Sequence, residues 1–172
     1  LVLRNTNGVT PLINQLAQSG QDPALRQAAF KAMEIVGDTK SVDQLLAIVL
    51  ATDPLKRPAQ SSLKKLSFSI GVPDYLWTHH YQPALAAAPS DEARQGALEI
   101  LDGISGPAAA SYLESLIPDG HPLRADALTV LTRWSDVSAG EVWLAVAKKS
   151  FRKADQTAAQ NGLKRLISSN RV

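Results

Sequence analysis

The feature that most constrains this chain is that it repeats itself. Aligned on Arg26, Lys56, Arg94, Arg124 and Gln156, the sequence places alanine three positions on in every copy, at Ala29, Ala59, Ala97, Ala127 and Ala159. Seven positions after the same anchors stand Met33, Leu63, Leu101, Leu131 and Leu163; ten positions after stand Val36, Leu66, Ile104, Trp134 and Leu166, all apolar. Steps of three, four and three return to one side of a helix, so each copy predicts a helix buried along a stripe. A unit of roughly 30 to 40 residues cannot bury that stripe alone, and the repeat therefore predicts units stacked on one another.

The boundaries fit the period. Asp22-Pro23, Asp53-Pro54 and His121-Pro122 each stand just before an anchor, where a proline suits a first helical turn. Ser90 with Asp91 and Glu92 supplies a cap and opposes the helix dipole for the third copy. Each first helix meets a breaker, at Gly37-Asp38, Gly71, Gly103 or Ser135-Asp136, and a second apolar period follows. That period reads Val42, Leu45, Leu46, Val49 in the first copy, Ala109, Tyr112, Leu113, Leu116 in the third and Ala139, Val142, Trp143, Val146 in the fourth. Each copy is expected to be a helical hairpin, with residues 11–19 forming the second helix of a truncated copy upstream. No alternating Val, Ile and Thr run bounded by Asn-Gly or Asp-Gly competes, so the fold expected is all-α.

The segment from Asp22 and Pro23 through Arg26, Ala28 and Ala29 to Gly37 and Asp38 resembles the first helix of a HEAT repeat, as does Pro122 through Arg124 to Ala127. The resemblance covers about residues 22–167. It implies one domain over residues 1–172: a right-handed α–α superhelix, or solenoid, of about five hairpins, armadillo-like in kind. Residues 124–167 are also similar to HEAT regions of large multidomain bacterial proteins, which implies a periplasmic or secreted location. Leu1 in place of Met leads to the same expectation of a piece of a larger parent. The family implies a non-enzymatic scaffold that offers a concave surface, lined by second helices, to a protein partner. Its repeated arginine implies that Arg26, Arg94 and Arg124 make ion pairs between repeats, with Asp38 and Asp136 as acceptors.

Composition bounds the function. With no Cys among 172 residues, disulfides, thiolate metal sites and cysteine nucleophiles are excluded. The longest apolar stretch, residues 45–51, falls far short of the roughly 20 that a membrane-spanning helix needs. Charge is uneven: seven of the 18 bases but only one of the 16 acids lie from Lys148 onward. Lys148, Lys149, Arg152, Lys153, Lys164 and Arg165, with Arg171, could line an edge that attracts phosphate. This gives the alternative expectation, a nucleic-acid-binding HEAT-like domain similar to the alkylpurine DNA glycosylases. Against it, lysine and arginine stems commonly lie over apolar surface with solvated heads.

The anchors are spaced 30, 38, 30 and 32 residues apart, so the second copy holds an insertion, at residues 72–81. It carries Tyr75, Trp77, His79, His80 and Tyr81, and insertions in repeat proteins map to loops that often bind. The expectation is a recognition loop, against the plainer one that these aromatics fill a gap in the stack. His121 is the only other imidazole, and adjacent His79 and His80 diverge on a helix, so no metal is expected. There is no Gly-rich phosphate loop, Gly-x-Ser-x-Gly elbow or His-Glu-x-x-His helix, and nothing converges Glu99, Asp102 and Glu114. Neither an enzyme nor a cofactor is expected.

Overall fold

A computed structural model describes residues 8–18, 22–101, 104–134 and 136–169, and every regular element among them is helical. Gly103, Ser135, Asp102 and Arg171 lie outside the described residues. The chain divides into two compact units, Leu1–Ile104 and Ser105–Val172.

The first unit runs α1 (Val9–Leu16), α2 (Pro23–Val36), α3 (Thr39–Leu50), α4 (Lys56–Ile70), α5 (Pro73–Leu76), a π-helical turn (Trp77–Tyr81), α6 (Gln82–Ala86) and α7 (Asp91–Leu98). Local chemistry sets the starts. Asp22 accepts from the Ala24 and Leu25 amides at 2.9 and 3.1 Å, with Pro23 in the first turn of α2. Asp38 accepts from the Ser41 amide at 3.0 Å while the Ser41 hydroxyl accepts from the Asp38 amide, which closes a capping box on α3. Ser90 caps α7 with a single bond, its hydroxyl accepting from the Ala93 amide at 3.2 Å. α4 ends on Gly71 at φ +72°, a left-handed conformation that a β-carbon disfavours.

Packing follows the repeat. α4 lies against α2 and α3, α1 against α2, and α7 against α3. The stripe residues Ala29, Met33, Ala59, Leu63, Leu66, Ala97, Leu101 and Ile104 are buried, as are Val42, Leu45, Leu46 and Val49 of α3. Val36 is only half-buried. Each fully buried leucine is worth about 2 kcal/mol relative to exposure, so these columns dominate the unit's stability.

The second unit runs α8 (Pro107–Ser115), α9 (Arg124–Arg133), α10 (Ser138–Lys149) and α11 (Lys153–Ser169). α10 packs on α8 and α11, and α9 touches both of those helices. Ala127, Leu131, Trp134, Ala159 and Leu166 of the first period are buried with Ala109, Leu113, Leu116, Ala139, Val142, Trp143 and Val146 of the second; Leu163 is half-buried. α11 approaches α10 at Gly162, where a β-carbon would stand 2.5 Å from the Trp143 indole.

The anchor arginines are structural, with acceptors other than those expected. Arg26 Nε donates to the Ala17 carbonyl at 3.2 Å and its guanidinium grips Asp53 at 2.6 and 3.3 Å. Arg94 donates to the Leu85 and Ala88 carbonyls and to Asp91. Arg124 donates to the Ile117 carbonyl at 2.8 Å and to Asp155. In each case the arginine fastens the end of the preceding helical segment. Asp38 and Asp136 are occupied instead with the amides of Ser41 and Ser138, because a short carboxylate in a turn satisfies its own helix start first.

Candidate functional site

Residues 72–81 form no loop. The chain runs through α5 and the π turn into α6, and the turn is closed by the Gln82 amide donating to the Trp77 carbonyl, five residues back. Pro83 supplies the cause: it has no N–H for the His79 carbonyl, and its ring crowds that carbonyl, so the turn opens by one residue. The insertion is thus taken up inside helical backbone.

The five side chains singled out in this segment part company. Trp77 and Tyr81 are buried, and the Tyr81 hydroxyl pairs with the Ser67 hydroxyl at 2.8 Å. Burial pushes the Tyr81 phenol well above its ordinary range, and the Ser67 contact offsets only part of this. These two are core, and a partner cannot reach them. Tyr75 is 47% exposed and stacks on His79 with ring centroids 4.3 Å apart, while His79 Nδ1 lies 3.1 Å from the Tyr75 carbonyl. His80 turns back to α3, its Nδ1 donating to Asp43 at 2.6 Å, and its Nε2 is buried without a partner. Asp43 is 37 residues away in sequence, and no local pattern marks it as part of this cluster.

The basic end is partly spent on the fold. Lys149 pairs with Glu114 at 3.2 Å and Arg152 with Asp119 at 3.3 Å. Arg165 donates to the Leu131 and Trp134 carbonyls at the end of α9. Lys148, Lys153 and Lys164 are exposed. Between α8, the turn that follows it and the end of α10 lies a cleft of about 270 Å³. Its lining includes Ile117, Pro118, Ala145 and Val146, with Glu114, Asp119, Arg124 and Lys149. No sequence pattern marks this cleft, because its lining is drawn from residues 114–119, Arg124 and residues 145–150, which lie apart in the chain.

Among the described residues, no group of three or more His, Asp and Glu is placed to hold a metal ion, and no helix is long and apolar enough to cross a membrane. What the described residues define is an all-helical protein with one outward aromatic–imidazole stack and one mixed-charge cleft. No family model matches the chain, and comparison with curated proteins and with solved structures gave no match.

Proposed function

We propose that this chain is a non-enzymatic protein-interaction or spacer module, a solenoid of stacked hairpins of the HEAT-repeat kind. One observation carries the reading. An arginine at the same position in the first, third and fourth copies fastens the preceding segment's end carbonyls and an acid, over the same buried alanine column, while Lys56 and Gln156 hold that position in the second and fifth. A device repeated this way builds a stack, and stacked repeats offer extended surfaces rather than convergent catalytic groups. Tyr75 and His79 supply the outward contact, since half-exposed aromatics are favoured anchors at interfaces. Because Lys149, Arg152 and Arg165 are already engaged, the nucleic-acid reading has less to draw on.

A photo-crosslinking residue in place of Tyr75 in the full chain tests this reading. Any protein captured is then titrated against the wild type and a Tyr75→Ala, His79→Ala double variant. Binding lost in a variant with unchanged helicity supports the reading; a captured protein indifferent to both substitutions overturns it.

A further inference from the structure

The cleft in the second unit has a knob beside it. Phe151 directly follows Ser150, which lines the cleft, and precedes Arg152, whose guanidinium is bound to Asp119, another lining residue. Its ring is completely exposed. At about 270 Å³ the cleft is smaller than the roughly 300 Å³ at which clefts begin to take drug-sized ligands, so its scale is that of one side chain. Its floor is apolar, formed by Ile117, Pro118, Ala145 and Val146.

We propose that this face binds a second copy of the chain, with Phe151 of each copy seated in the other's cleft. An isologous interface needs one patch that carries both halves of the contact close together, and a knob next to a hole meets that need. The rim agrees. Two acids, Glu114 and Asp119, are paired within one copy with two bases, Lys149 and Arg152, at 3.2 and 3.3 Å, and Arg124 of the lining is held by Asp119 and Asp155. Across a twofold axis each acid can face the other copy's base, so the rim is complementary to itself. A strongly acidic or strongly basic partner would meet repulsion from half of it. Burial of two phenyl rings supplies the attraction. The inference stands apart from the proposed role of Tyr75 and His79, which lie in the other unit.

Sedimentation velocity of the full chain over a concentration series tests it. The wild type should rise from the 18.4 kDa of one chain toward twice that mass. Phe151→Ser should weaken self-association by more than about tenfold, as loss of a central aromatic anchor does. It cannot unfold the protein through lost packing, because Phe151 packs against nothing. Ala145→Trp fills the cleft and should act likewise. An equimolar mixture of the two variants regains one of the two contacts and should associate more tightly than either alone. A wild type that stays at one chain's mass throughout overturns the proposal, and so does a Phe151→Ser variant that associates as the wild type does.

Discussion

Arg26 and Asp53 are both nearly buried, and the geometry of their contact decides what the pair is worth. The guanidinium beside Asp53 holds its carboxyl below the ordinary range, outweighing burial. At Asp155 burial pushes upward, but hydrogen bonds from Arg124 and Ser150 overcome it and the net shift is again downward. A carboxyl depressed in the folded state contributes stability that is complete above its ordinary value of 3.8 and is lost as pH falls through the folded value. Urea midpoints should therefore stay level near neutrality and fall steeply below the carboxylate range. Arg26→Gln leaves Asp53 buried without its counter-charge and should cost about 3 kcal/mol at pH 7, a gap that narrows as acid protonates the carboxyl. A gap of the same size at both ends of the pH range would show that the arginine acts by packing alone. Gly162 is another residue with no slack: Gly162→Ala should cost about 2 kcal/mol in the same assay, because the new β-carbon would stand 2.5 Å from the Trp143 ring.

At the scale of elements, the π turn between α5 and α6 divides neighbours that look alike in sequence. Trp77→Ala should cost about 4 kcal/mol through the cavity it leaves, while Tyr75→Ala, two residues away, should change stability by less than about 1 kcal/mol. Parallel urea melts check both, and equal effects would refute the division into core and surface. The turn before α9 makes a second case. His121 Nδ1 accepts from the Leu123 amide at 3.1 Å, just as Asp53 Oδ1 accepts from the Leu55 amide at 2.8 Å before α4. His121→Asp should therefore keep the turn's hydrogen bond, while His121→Ala should lose about 1 kcal/mol of thermal or urea stability. Both cases bear on what the sequence makes legible. The alanine column is a local signal of fixed spacing and every member of it falls within a helix; of the proline starts, Pro23 lies in the first turn of α2, while Pro54 and Pro122 stand just ahead of α4 and α9. The π turn was not legible as such, because an aromatic-rich insertion flanked by prolines reads as a loop until Pro83 is seen acting on the carbonyl four residues before it. Nor were the acceptors of the anchor arginines, because Asp53 and Asp155 lie 27 and 31 residues from Arg26 and Arg124.

For the whole molecule, charge is the property that a sequence reports as a sum and a structure reports as a distribution. The concentration of bases from Lys148 onward suggests an anion-binding end. Yet Lys149, Arg152 and Arg165 are held by Glu114, Asp119 and the carbonyls at the end of α9. Lys148, Lys153 and Lys164 are left facing solvent, on α10 and α11. Three phosphate contacts give a slope of log K against log salt of about −2.7 on duplex DNA, a weak non-specific hold at physiological salt. Titration with mixed-sequence DNA and RNA at two salt concentrations should therefore show little binding at the higher one. Any binding at the lower should vanish when Lys148, Lys153 and Lys164 are changed to alanine. A slope much steeper than −2.7 would mean that Lys149, Arg152 and Arg165 leave their partners to meet phosphate, and it would move the proposed role from scaffold to nucleic-acid binding. The Glu114–Lys149 and Asp119–Arg152 pairs would then have to break on binding, and Glu114→Gln and Asp119→Asn, which release Lys149 and Arg152, should tighten that binding rather than weaken it.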